Sequence, residues 1–191
     1  MNQDALRSRL EIELDVVTRD ALTAATGLSD EQLNWSDGSF WSVGQIFEHL
    51  VLSTDAYMSK IRGRIFNPTA AHVLAESDPD WEPSLMGWML VRRMRSPRPL
   101  PAPRIFVPGP TPRADVVNAF VQRQKTLTYL LRASSALYWN RVRATSPVSA
   151  MIRMNLGDAF SVLIVHEQRH VGQMDRVRER MQFPSRFLAR A

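Results

Sequence analysis

Hydrophobic positions recur every three or four residues over four long stretches of this chain, the spacing of an apolar stripe on an α-helix. Over 4–26 the stripe is Leu6, Leu10, Leu14, Val17, Ala21 and Ala24, with Arg7, Glu11, Asp15 and Arg19 on other faces. Gly27 follows as a C-terminal cap, because glycine adopts the left-handed conformation that closes a helix. Ser29 and Gln32 have capping-box spacing, and Asp37-Gly38 signals a turn. A second helix is predicted over 42–66, capped by Ser42 with Gln45 and turning Ile46, Leu50, Tyr57, Ile61 and Ile65 inward. A third covers 113–134, where Val117, Phe120, Val121 and Leu131 share a face with Gln124 and Thr128, polar groups that require partners if buried. The fourth covers 155–181 and is ended by Phe183-Pro184; its stripe is Leu156, Phe160, Leu163, Val171, Met174 and Met181.

The stretch from 67 to 113 is different. Ten of the twelve prolines fall between Pro68 and Pro112, which breaks helix by removing N–H donors and crowding the preceding turn. One helical island is predicted at 83–95, with Pro83 in its first turn and Arg92, Arg93 and Arg95 at its end, where they offset the helix dipole. Pro97 to Pro103 reads as polyproline II. A connection this long is a lid over something, a dimer contact, or the long crossover of a helix bundle. Residues 135–153 read as mixed turns, and the tail 184–191 either docks or frays. The expected fold is all-α, a four-helix bundle with a Pro-rich crossover between its second and third helices. A chain of 191 residues is short for two cores, so a single domain over 1–191 is expected.

Composition narrows the setting. Apolar residues make up 45% and charged residues 23%, ordinary for a soluble globular chain. No run approaches the ~20 apolar residues that span a bilayer, so no membrane partner is expected. Met1 to Leu6 lacks a basic segment leading into an apolar one, so no signal peptide is expected. Cysteine is absent, which removes disulfides, thiolate ligands and a Cys nucleophile together. These features point to a cytoplasmic protein. Charge is lopsided: residues 1–82 hold 6 Lys+Arg against 14 Asp+Glu, and residues 83–191 hold 18 against 5. All the basic residues except Lys60 and Lys125 are arginine. A basic half can take nucleic acid, an anionic small molecule or the acidic half of a second copy. No helix-turn-helix or zinc-finger pattern is present, so nucleic acid is not the expected partner.

The candidate chemistry lies in four histidines, His49, His72, His166 and His170. His166 and His170 sit four residues apart on the fourth predicted helix, an offset that puts both imidazoles on one side about a turn apart. Neutral imidazole is a borderline-soft ligand suited to Zn, Ni or Fe. The letters also spell HExxH, in which the Glu of a zincin is general base, but that fold needs strands the sequence does not show. At about 100° per residue both histidines, with Gln173 and Val177, flank the apolar stripe. Glu167 comes out near the centre of the stripe, where a carboxylate needs a partner: a ligand histidine's free N–H or an arginine. His49 lies beside Ile46 and Ser53, so it can face the interior. One histidine from one helix and two from another can build a site inside a bundle. Equally, His49 can be a core residue and the pair merely structural. Trp41 is either a core residue or a pocket wall, Gln124 either orients a ligand or bonds a neighbouring helix, and His72 is expected in a solvated loop. Gly172 lets another helix approach closely.

Trp41-Ser42-x-Gly44-Gln45-Ile46-x-Glu48-His49-Leu50 early, with His166-x-x-x-His170-x-Gly172-Gln173 late, resembles the DinB/YfiT-like family of metal-dependent enzymes. The resemblance covers roughly 5–66 and 112–182. It implies a four-helix bundle in which His49, His166 and His170 hold a divalent metal, here Zn, Ni, Fe or Mn. Glu167, Gln173, Trp41 and Gln124 become candidates for the surrounding pocket. Val171 stands where many relatives carry Arg, a departure that leaves the ligand positions intact. The resemblance further implies hydrolysis, or S-transfer or isomerisation dependent on a low-molecular-weight thiol such as mycothiol, bacillithiol or glutathione. The co-substrate would then bring the sulfur that the chain lacks. Three ligands leave positions open for water or a small-molecule substrate. The expectation is a homodimeric metal-dependent enzyme, thiol transfer ahead of hydrolysis. The alternative is a non-catalytic metal- or ligand-binding dimeric bundle of the stress-response type.

Overall fold

Asn2 starts the first helix by accepting the Ala5 amide on its side-chain oxygen at 2.9 Å, and α1 then runs Gln3–Ala25. In this computed structural model, which describes residues 1–73, 79–180 and 184, the architecture is mostly helical. Every apolar position of the predicted first stripe is buried, from Leu6 to Ala24. Thr26 bonds back to the Leu22 carbonyl at 2.8 Å, and Gly27 follows at φ 70, the left-handed residue the cap needs. Both predicted capping boxes form. Ser29 opens the one-turn α2 (Asp30–Leu33), and Ser42 with Gln45 opens α3 (Val43–Phe66). The Pro-rich stretch contains α4 (Leu85–Arg95) and two short 3-10 turns, Ala70–His72 and Arg104–Phe106. Two more long helices follow, α5 (Val116–Ala133) and α6 (Leu156–Arg178).

The four long helices share one core. α1 packs on α5 and α6, α3 packs on the same two, and α4 lies along α6. Phe47, Phe120, Leu127, Phe160 and Leu163 sit in the middle, with Phe47 and Phe120 edge to face at 5.2 Å between ring centroids. On α5 the buried face is rotated slightly from the predicted one: Val116, Ala119 and Leu127 are buried, whereas Val117 and Val121 are only half-buried. Met181, expected at the end of the α6 stripe, and most of the tail lie outside the described residues. Among the described residues no helix is long and apolar enough to cross a membrane.

The stretch expected as turns holds a small hairpin. β1 (Arg143–Thr145) pairs antiparallel with β2 (Arg153–Asn155), Ala144 opposite Met154. Strands of three residues carry too little alternation to be read from sequence. Asn155 ends β2 and caps α6, accepting the Asp158 amide at 2.9 Å while Asp158 accepts the Asn155 amide at 3.1 Å. The same Asp158 oxygen accepts the amide of Ser84, the N-cap of α4, at 3.1 Å. Trp81 Nε1–H donates to Asn155 at 2.9 Å and lies on Gly157, where an added Cβ would come within 2.3 Å of that nitrogen. Gly87 on α4 meets Asp158 just as closely, a Cβ there falling 2.0 Å from the carboxyl carbon. The start of α4 is thereby seated on the start of α6. His72 is half-buried in its 3-10 turn rather than in an open loop, and its carbonyl accepts the Tyr138 amide at 2.8 Å.

Candidate metal centre

The capping box that opens α3 also aims its second turn. Ser42 Oγ accepts the Gln45 amide at 3.1 Å, and the Gln45 side chain returns to the Ser42 amide at 3.0 Å. Gln45 Nε2 then donates to the Gly109 carbonyl at 3.0 Å, tying α3 to the Pro-rich segment. One turn further on, His49 is buried at 2% exposure, and its Nδ1–H donates to the Phe106 carbonyl at 2.7 Å. That bond selects the tautomer with its lone pair on Nε2. On α6, His170 makes the equivalent arrangement: Nδ1–H donates to Gln173 Oε1 at 2.9 Å, leaving Nε2 as the acceptor nitrogen. His166 faces both, its Nε2 3.1 Å from His49 Nε2. Ring centroids lie 5.1 Å apart for His49–His166, 4.5 Å for His49–His170 and 4.6 Å for His166–His170. One donor atom from each lies within 4.8 Å of the other two.

The electrostatics favour neutral rings. Burial holds the His49 pKa below its ordinary value, against the pull of the Phe106 carbonyl. His166 is pushed well down, by burial first and then by the charges His170 and His49 would carry. His170 is pushed down to about 3, by burial and then by His49, against the opposing bond to Gln173. A desolvated cluster of like bases cannot hold protons. Three neutral imidazoles, two with Nδ1 already engaged by an oxygen, present lone pairs to one small space. This donor set fits a divalent ion, and the carbonyl and amide oxygens on the far nitrogens are the partners that orient ligand histidines.

The cluster opens on a cleft of about 1580 Å³. Trp41 forms part of its wall, 4.9 Å from His49 and stacked over His170 at 6.4 Å between centroids. Gln173 also lines it; Glu167 and Gln124 do not. Glu167 is fully buried in the helical core, its Oε1 accepting from Thr54 Oγ1 at 3.2 Å and Gln124 Nε2 at 3.0 Å. Gln124 reaches Thr18 as well, at 3.3 Å. Among the described residues Glu167 Oε2 has no partner, and burial, outweighing the bonds from Gln124 and Thr54, pushes the carboxyl up to about 7. The two predicted polar groups on α5 are accounted for without the cleft, since Thr128 Oγ1 bonds the Gln124 carbonyl at 3.0 Å. His72 takes no part in the cluster.

Sequence reasoning missed two contributors. Phe106 supplies a backbone carbonyl, which no side-chain pattern reveals. Arg169, between the two histidines, reaches across to the end of α4, donating to the carbonyls of Met94 at 3.1 Å, Arg98 at 2.7 Å and also Ser96. Its pKa is drawn down by burial and by the like charges of Arg176 and Arg93. The only signal for it is position: a residue three beyond one histidine and one before the other flanks the same face.

One histidine from α3 and two from α6, neutral and converging on an open cleft, define a helical protein suited to binding a metal. The chain belongs to the DinB superfamily, whose family model matches residues 13–174. No curated protein and no solved structure matches it.

Proposed function

We propose that the chain is a metal-dependent enzyme whose His49, His166 and His170 hold one divalent ion, Zn, Ni, Fe or Mn, in a four-helix bundle of the DinB/YfiT-like type. The observation that carries this reading is the convergence of three neutral imidazoles, with one donor nitrogen from each within 4.8 Å of the others, on a cleft large enough for a small molecule. An ion there supplies a Lewis acid that can lower the pKa of a thiol or water, or polarise a carbonyl. The chain's own groups do the rest. The Phe106 carbonyl and Gln173 hold the ring tautomers, and Trp41 with residues of the proline-rich segment 97–103 lines the cleft beside them. Tyr57 also lines the cleft, half-buried, its phenol pKa raised by burial.

The reaction we favour is S-transfer or isomerisation with a low-molecular-weight thiol, such as mycothiol, bacillithiol or glutathione, ahead of hydrolysis. A chain without cysteine must take its sulfur from a co-substrate. Such thiols stay reduced in the cytoplasm, the location that belongs to this reading. We read residues 1–191 as a single domain, 67–113 as its crossover, and the active form as a homodimer. A second reading, a non-catalytic metal- or ligand-binding dimer, is favoured by one fact: Glu167, the carboxylate beside His166 in sequence, is turned into the core toward Thr54 and Gln124, and no carboxylate among the described residues lines the cleft.

Metal content by plasma mass spectrometry, on protein purified without a histidine tag beside His170→Ala, tests the site. About one ion per chain, lost in the variant, is expected. Cobalt-reconstituted protein then separates the readings: a sulfur-to-cobalt absorption band on adding a thiol supports thiol chemistry, and an unchanged spectrum rejects it.

A further inference from the structure

The cleft has a charge pattern of its own. Among the described residues that line it, every charged side chain is an arginine and none is a carboxylate. Two of these arginines have structural employment. Arg169 holds the end of α4, and Arg180 sits 3.8 Å from Asp37 and 3.9 Å over the Phe40 ring. The side chains of Arg93, Arg95 and Arg176 have no ion pair or hydrogen bond among the described residues, whereas Arg113, Arg123 and Arg132 elsewhere each pair with a carboxylate. Arg93 and Arg95 come from the last turn of α4, and Arg176 from α6. Arg176 lies six residues beyond His170, about 9 Å along the axis. Its side chain folds back over Gly172, Nη1 lying 3.6 Å from where a Cβ would stand, so the guanidinium is turned back along α6 toward the turn that carries His170. Like charges gathered around a neutral cluster repel one another and create a potential that an anion relieves.

We propose that this cleft takes a small organic oxyanion on an apolar body, its charged end on Arg93, Arg95 and Arg176 and its body against Trp41, reaching toward the histidines. The proposal names the substrate class for the site described above and rests on that reading of the cleft. Arginine's planar fork matches carboxylate, phosphonate or sulfonate oxygens, and those of α4 and α6 line the same cleft. Trp41, Leu90 and Ile152 supply apolar wall for the rest of the molecule.

Calorimetric titration of the full chain, both metal-free and metal-loaded, with benzylsuccinate and with its neutral diamide tests this. Benzylphosphonate as a second probe distinguishes a phosphate-type from a carboxylate-type preference. Binding of an anion to metal-free protein at least about tenfold tighter than the diamide is expected, weakening with salt. The double substitution Arg93→Gln with Arg176→Gln should lose about tenfold, and Arg176→Lys alone should lose less because it keeps charge without the fork. Equal binding of anion and diamide, anion binding undiminished in the double variant, or no binding of any probe overturns the proposal. Because the metal-free titration does not involve the ion, its failure is separate from a failure to find one metal per chain.

Discussion

At the scale of single residues, the cluster depends on which nitrogen of each ring carries a proton. His49 and His170 give their Nδ1–H to fixed oxygens, so their Nε2 lone pairs are presented without rearrangement. His49→Ala should lose stoichiometric metal while circular dichroism shows an unchanged helix content; full metal occupancy in that variant rejects the three-histidine site. All three rings have folded pKa values below the ordinary 6.5, so the unfolded chain binds more protons. They therefore cost stability below pH 6.5, and cost nothing above it. The same depression means an ion need not displace protons there. Metal should stay bound at about pH 5.5, where exposed histidines are mostly charged, and dialysis at that pH followed by metal analysis checks it. Glu167 has the opposite sign. Its folded pKa of about 7 exceeds the ordinary 4.5, so in metal-free protein stability falls as pH rises from 4.5 to 7 and then levels off. Glu167→Gln keeps an oxygen for Thr54 and Gln124 and should flatten that slope. The gain at pH 8 should be up to about 3 kcal/mol, read by urea denaturation at several pH values.

At the scale of elements, α4 is held to α6 at both ends, by Asp158 at its start and Arg169 at its end. Arg169 thereby connects the histidine-bearing helix to the part of the cleft wall that follows Met94. Arg169→Met should raise hydrogen–deuterium exchange across Met94 to Phe106 more than elsewhere, at a cost of about 1–2 kcal/mol. Uniform exchange in the variant would contradict that coupling. Gly157→Ala should be destabilising by about 1–3 kcal/mol, since its methyl displaces Trp81 and breaks the bond to Asn155; a thermal melt reads the loss. Neither glycine contact is visible from sequence, where Gly157 and Gly87 look like weak points of ordinary helices. The long helices were legible, because a stripe such as Leu6 to Ala24 repeats for about five turns. The hairpin at 143–155 was not, because three residues per strand hold no period and its pairing is settled by burial of Ala144 and Met154.

At the scale of the whole molecule, an ion held by His49 and His166 would join residues 117 apart in sequence, on α3 and α6. Any ligand that binds only the folded state stabilises it, by about 4 kcal/mol at a thousandfold excess over its Kd. Chelator-treated protein should melt several degrees lower than reconstituted protein, and His166→Ala should melt alike in both conditions. The sequence alone determined the mostly helical class, the capping boxes, the membership suggested by the two histidine motifs, and which three histidines to suspect. It could do so because helical periodicity and capping are local, set by residues within a few positions of one another. Tertiary structure alone decided that Nε2 of His49 lies 3.1 Å from that of His166, that Phe106 and Gln173 select the tautomers, and that Glu167 faces Thr54 and Gln124. It also decided that arginines from α4 and α6 with no ion pair among the described residues share one cleft. Those facts depend on how separate helices rotate and slide when they bury a common core, and no local pattern encodes that.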